Sequence, residues 1–209
     1  MAQKFGVNPW TAIWVRPRET IQKIVNFDPR YGFIFLAGVY GFNMLMQVVQ
    51  SLSLGAEFSL TGILVGALIL SPFLGMLMLS IMALLLQWTG RWIGGKGKYL
   101  PIRAALAWSN VPNIVNIVLW LILAFYFKRA VFVNGFAGTS FQGSEMLLVT
   151  SVFLFQTILS IWSFIILIKS LGQVQGFSAW KGLFNVLIPF FMIGIAVWLV
   201  SFIVGAFKG

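Results

Sequence analysis

The sequence has no cysteine, no histidine and only four acidic residues among 209. The first two absences remove disulfides, thiol chemistry, Cys/His zinc sites and histidine proton relays together. The acids, Glu19, Asp28, Glu57 and Glu145, fall in three separate connections. They give no carboxylate pair for acid–base work, and a Ser-His-Asp or Cys-His arrangement has no histidine to use. An enzyme is therefore not expected, and neither a cofactor nor a metal is implied. Charge of either sign is scarce, at 9% of residues against about 25% in soluble domains. There is no Asn-x-Ser/Thr sequon and no cleavable signal peptide, because the chain up to Arg30 is polar and amphipathic. The first long apolar run is expected to serve as the insertion signal and to stay in the protein.

What remains is apolar: 60% of residues are hydrophobic and the mean hydropathy is +0.96. Residues 31–56, 58–90, 104–127, 146–168 and 182–207 contain no charged side chain at all. Crossing the hydrocarbon layer takes roughly 20 apolar residues, and a charge at its centre costs about 2.5–3.5 kcal/mol. Each run reads as a transmembrane helix, with spans at 31–53, 60–88, 104–127, 146–168 and 183–207. The backbone must close its own hydrogen bonds in lipid, and continuous apolar runs do not suit a β-barrel. The fold expected is all-α: a polytopic integral membrane protein of five transmembrane helices plus an N-terminal amphipathic interfacial helix. Residues 1–30 form a cytoplasmic arm and 31–209 one membrane domain, with no room for a soluble one.

The formal charge of +10 comes from 14 Lys and Arg. Eleven of them lie on one side: Lys4, Arg16, Arg18, Lys23 and Arg30 in the arm, Arg91, Lys96, Lys98 and Arg103 after the second span, and Lys169 and Lys181 after the fourth. Lys128, Arg129 and Lys208 fall on the other. The richer side faces the cytoplasm. The N-terminus is thus predicted inside, and the C-terminus, Lys208-Gly209, outside. Positive charge beside membrane spans meets anionic headgroups. No basic soluble module exists to bind nucleic acid.

In the arm, Trp10, Ile13, Trp14, Ile21, Ile24 and Val25 share one face of a 3.6-residue helix, away from Arg16, Arg18, Gln22 and Lys23. Asn8 before Pro9 marks a helix start. Pro17 kinks or restarts the helix, and Glu19 and Lys23 pair one turn apart. The face suits the headgroup boundary of a membrane, or a cytoplasmic partner. The connection Gln87–Ala105 contains Gly90, Gly95 and Lys96 at P-loop spacing. Gly97 stands where Ser or Thr should reach magnesium, and a membrane helix stands where a strand should precede, which excludes nucleotide binding. The loop reads either as a flexible basic turn or as a contact for a partner or headgroup. The outer loop, Lys128 to Glu145, holds Asn134-Gly135, Gly138 and Gly143, which read as turns.

Three spans carry polar stripes at i, i+4, i+7: Asn43, Gln47 and Gln50; Ser109, Asn113 and Asn116, flanked by Asn110 and Pro112; and Gln156, Ser160 and Ser163. Amides in hydrocarbon need partners, so these stripes face the interior, as interhelical contacts or as a polar path. Gly62 and Gly66, then Ser71 and Gly75, offer close helix approach. Pro72, Pro112 and Pro189 lie within spans and mark kinks or tolerated bends. No ionisable group lies at depth, which argues against a proton- or ion-coupled pump.

The motifs resemble those of the Yip (Ypt-interacting protein) family, in its bacterial form. The residues are Asn8-Pro9-Trp10 and Arg16-Pro17-Arg18-Glu19-Thr20 in the arm, Gly94-Gly95-Lys96-Gly97 before the third span, Ala107-Trp108-Ser109-Asn110-Val111-Pro112 within it, and Val174-Gln175-Gly176-Phe177-Ser178 after the fourth. The resemblance covers nearly the whole chain. It implies five spans and an N-terminus in the cytoplasm. In eukaryotes it implies vesicle traffic, Rab GTPase binding and a long N-terminal region with an Asp-Leu-Tyr-Gly-Pro motif. Here Asp28-Pro29-Arg30-Tyr31-Gly32 does not follow that order, so a prokaryotic plasma membrane is the setting implied.

The leading expectation is a non-enzymatic membrane organiser or adaptor. Trp10, Trp14, Arg16, Arg18, Gly95, Lys96 and Lys98 would meet a protein partner at the cytoplasmic face, or lipid. The alternative is a small transporter, channel or lipid-translocating protein using Asn43, Gln47, Gln50, Ser109, Asn113, Asn116, Gln156 and Ser160. A homo-oligomer through the Gly62–Gly66 face is a further expectation.

Overall fold

The charge-free runs become helices whose ends lie where polar residues return. The computed structural model describes residues 6–133 and 141–206; Lys4, the Asn134-Gly135 turn, Gly138, Phe207 and Lys208 lie outside them. In chain order the helices are α1 (Pro9–Val15), α2 (Pro17–Phe27), α3 (Phe33–Ser51), α4 (Leu60–Trp92), α5 (Tyr99–Trp108), α6 (Asn113–Phe127), α7 (Ser144–Gln175) and α8 (Ala179–Ala206). A 3-10 turn, Lys128–Phe132, follows α6, and no strand occurs among the described residues. Five segments are long and apolar enough to cross a membrane: α3, α4, α6 with its 3-10 turn, α7 and α8. This is an all-α polytopic membrane protein. At 33 and 32 residues, α4 and α7 run about 50 Å, well past the roughly 30 Å hydrocarbon layer.

The third span departs from expectation. It is two helices, not one, broken between Ser109 and Pro112. Pro112 has no N–H to donate. Around it the amides turn to carbonyls three residues back: Asn110 to Ala107 at 3.0 Å, Val111 to Trp108 at 3.3 Å and Asn113 to Asn110 at 3.0 Å. The Ser109 hydroxyl and the Asn110 amide both donate to the carbonyl of Leu106, at 2.7 and 2.8 Å. The Leu106 carbonyl, freed because the Asn110 amide turns to Ala107, is thus satisfied by these two side chains. The first half, α5, is buried from Ala104 to Trp108, so it sits inside protein, not in lipid. Pro72 and Pro189 interrupt nothing; α4 and α8 continue through them.

The arm also differs in what covers it. It is two helices joined at Arg16, and its apolar face lies on the bundle, not on a membrane surface. Ile13, Ile21 and Ile24 are 0% exposed and share a core with Leu106, Trp108, Ile166 and Leu171. Five helices leave a bundle incomplete on the arm side, and the amphipathic face completes it.

The closest helix crossing is between α3 and α4. A Cβ on Gly41 would strike the Ser71 carbonyl, and one on Gly75 the Ala37 carbonyl. Gly62 and Gly66, the more conspicuous pair in sequence, make no such contact: Gly66 has open space around it, and Gly62 lies over the Ser59 hydroxyl that caps its own helix. Beyond Pro189, α8 is exposed all the way round, from Phe190 to Gly205.

Candidate functional site

Two regions carry polar chemistry. The first is the arm-side end of the bundle. The Asn8 carboxamide caps α1 by accepting from the Trp10 amide at 3.1 Å, and Pro17 ends α1 and opens α2. Trp10 lies 4.7 Å from Trp108 between ring centres. The Trp108 indole donates to the Tyr31 carbonyl at 3.0 Å, and the Trp162 indole donates to the Trp14 carbonyl at 3.2 Å. Both arm tryptophans are therefore bound up with the bundle. Arg16 and Arg18 are exposed, and the Arg18 guanidinium lies against Gly172 of α7.

The glycine-rich connection is anchored to the same end of α7. Only Ile93–Lys98 lies outside helix. The Lys96 amide donates to the Gln175 carbonyl at 2.9 Å and the Gly97 amide to Gln175 Oε1 at 3.0 Å. Gln175 Nε2 donates to the Leu86 carbonyl at 3.1 Å. Side chains on Gly90, Gly95 or Gly97 would each collide with Gln175. Lys181 Nζ donates to the Ile93 carbonyl at 3.2 Å. The flexible-turn reading is thus corrected: the glycines cradle one carboxamide, and the loop is fixed. The side chains of Lys96 and Lys98 remain exposed, while Gly95 is half-buried. Among the described residues the ion pairs are those of Glu19 with Lys23, at 2.8 Å, and with Arg16, at 4.0 Å. The Lys23 ammonium, by hydrogen bond and charge, holds the Glu19 carboxyl below its ordinary value. Arg103 is taken up differently, stacked 4.0 Å over the Phe33 ring.

The second region is the interior. Asn43 Nδ2 donates to the Asn113 carbonyl at 3.1 Å and Gln50 Nε2 to the Val131 carbonyl at 3.0 Å. Asn113 Nδ2 donates to Asn110 Oδ1 at 2.8 Å. The first two tie α3 to the third span, and the last lies within the break itself. Other polar atoms have no partner among the described residues: Asn43 Oδ1, Asn116 Oδ1, Trp120 Nε1, Gln156 Nε2 and Ser163 Oγ. Two cavities adjoin three of them, Trp120, Gln156 and Ser163. One, of about 400 Å³, is lined by Gln47, Gln50, Trp120, Gln156, Thr157 and Ser160 among others. The other, of about 290 Å³, is lined by Ser109, Asn110, Asn113, Ser160 and Ser163 together with apolar side chains. Ser160 belongs to both.

The structure therefore brings residues of all three polar stripes to two adjoining cavities, although Gln47 and Ser160 are exposed and do not face the interior. It draws the arm and the glycine loop onto the same turn of α7. Four buried polar residues were not singled out from the sequence: Thr89, whose hydroxyl lies 3.1 Å from Asn185 Oδ1, Asn185 itself, Ser170 and Gln175. Only Gln175 gave a signal, as part of the Val174–Ser178 motif.

Five spanning helices, a broken third span and an arm folded onto one end define a helical polytopic membrane protein. The family model of the Yip1 domain matches residues 11–201, and the chain belongs to that family. No curated protein and no solved structure matches it.

Proposed function

We propose that the protein is a non-enzymatic membrane organiser or adaptor that works through its arm-side face, turned to the cytoplasm of a prokaryotic cell. The bias of Lys and Arg to that side supports the orientation. One observation carries the docking role: the arm is fused to the bundle through Ile13, Ile21 and Ile24, so Arg16 and Arg18 stand on a fixed platform. Lys96 and Lys98 stand on a second one, pinned by Gln175. Exposed cations held in place form a surface for an acidic protein partner or anionic headgroups, with little side-chain and loop order left to impose on binding. The test replaces Arg16, Arg18, Lys96 and Lys98 with Gln. Crosslinking and affinity purification from native membrane, with mass spectrometry of proteins and lipids, should then recover less partner or anionic lipid. Unchanged recovery from a well-folded variant overturns the docking role.

A second reading is supported by the cavities that meet at Ser160. In it, Gln47, Asn113, Asn116 and Gln156 form a polar path through the membrane domain.

A further inference from the structure

The polar path is open on its side, and that points to what it carries. Thr157 and Ser160 on α7 are exposed although they lie well inside an apolar span, and Gln47 on α3 is exposed one turn from the end of its helix. The Thr157 hydroxyl donates back to the Phe153 carbonyl at 2.8 Å, which leaves the Ser160 hydroxyl as the exposed polar group at mid-span. Polar side chains facing hydrocarbon are costly, so a surface of this kind at membrane depth takes up water or another polar group. The two cavities together follow α7 from Phe153 to Leu167, about 21 Å at 1.5 Å per residue. That is some two-thirds of a hydrocarbon layer of roughly 30 Å. Phe153, Ile161 and Phe164 supply apolar wall beside the polar groups. The outer half of α8, Phe190 to Gly205, has every residue exposed and meets α4 at Leu85, Trp88 and Thr89, not the helices that line this groove on α3 and α6.

We infer that this groove conducts the headgroup of a membrane lipid between leaflets while the acyl chains stay in the bilayer. The inference rests on the polar-path reading and names its substrate. A free solute would need an enclosed passage; a molecule half polar and half apolar matches a groove with one side open to lipid. No charged side chain lines either cavity, so the headgroup favoured is a zwitterionic one without net charge. The indole N–H of Trp120 and the amide N–H of Gln156, both unpartnered, are donors for its phosphate or ester oxygens. The unpartnered hydroxyl of Ser163, which lines the second cavity, can hold the water that travels with it. With no ionisable group at depth, movement runs down the concentration gradient. Nothing is broken or formed covalently.

The experiment reconstitutes the full chain in phosphatidylcholine vesicles with a trace of fluorescent phosphatidylcholine, and adds a membrane-impermeant reductant. In protein-free vesicles the reductant bleaches only the outer leaflet. The expected result is bleaching of the inner-leaflet pool as well, lost in Gln156→Leu combined with Ser160→Leu. Ser160→Trp, which fills the point shared by both cavities, should do the same and serves if the double variant does not fold. A parallel sample releases a trapped neutral sugar. Lipid exchange without sugar release supports the inference. Sugar release without lipid exchange keeps the polar path and overturns the lipid as its cargo. Neither activity overturns both. Lipid exchange unchanged in well-folded variants removes it from this groove.

Discussion

The Gly97 amide donates to the side-chain oxygen of Gln175 across 3.0 Å, joining residues 78 positions apart in sequence. The other end of the same carboxamide reaches the Leu86 carbonyl, so Gln175 fastens the second span, the fourth span and the loop between the second and third at one point. It is 1% exposed, and its loss would leave a buried donor, the Gly97 amide, without its partner. Gln175→Ala should destabilise the bundle by about 1–3 kcal/mol and free the Ile93–Lys98 turn. Faster hydrogen exchange at Lys96 and Gly97, with slower change elsewhere, is the measurement. Gly97→Ala should act in the same direction, since its Cβ would stand 2.8 Å from Gln175 Oε1.

That link shows where sequence reasoning ends. The spans were legible because charge is excluded from lipid, and the polar stripes because amides recur at helical spacing. Pro112 was legible as a kink or a tolerated bend but not as a break, since apolar residues continue on both sides of it and only the local hydrogen bonds reveal the turn. Gln175 lies near a helix end, where a glutamine is ordinary, and burial there depends on three glycines brought from another connection. The arm's apolar face was plain from Ile13, Ile21 and Ile24. What covers it depends on how five helices leave a gap, which no local pattern states.

Ile21 tests the arm's attachment. It is fully buried between α2 and the bundle, and truncation of a buried isoleucine costs about 2–5 kcal/mol. Ile21→Ala should release the arm before the spans unfold. Limited proteolysis ought to cut near Arg16 and Arg18 in the variant and spare the native protein. Equal resistance in both would mean that the arm is held by other contacts.

Glu19 provides a pH test. Its folded pKa is lowered, first by the hydrogen bond from Lys23 and then by that residue's charge. A depressed carboxylate pKa adds stability above the unfolded value, and that contribution is lost as pH falls through the folded one. The pair is exposed, so the effect on α2 is small and screened by salt. Titration of the Glu19 carboxyl by carbon NMR should give a midpoint below the ordinary glutamate value, and Lys23→Gln should raise it.

Absence of cysteine makes the orientation directly measurable. Lys96→Cys places a thiol on the exposed arm-side loop, and Glu57→Cys places one in the connection between α3 and α4 at the opposite end. In right-side-out vesicles an impermeant maleimide should label Glu57→Cys at once and Lys96→Cys only after permeabilisation. The reverse pattern would turn the protein over and place the basic platform outside.

Gly41 and Gly75 set the α3–α4 crossing, whereas Gly62 and Gly66 leave an open face. A Cβ at Gly41 or Gly75 meets backbone of the facing helix, which cannot rotate aside as a side chain can. Gly41→Ala or Gly75→Ala should push the helices apart and cost about 1–3 kcal/mol. Gly66→Ala meets nothing within 4 Å and should change monomer stability by less than about 0.5 kcal/mol. Unfolding in mixed micelles compares the three. A large loss for Gly66→Ala that grows with protein concentration would reveal a second copy seated on that face, because a dimer contact, unlike a monomer one, stabilises by mass action.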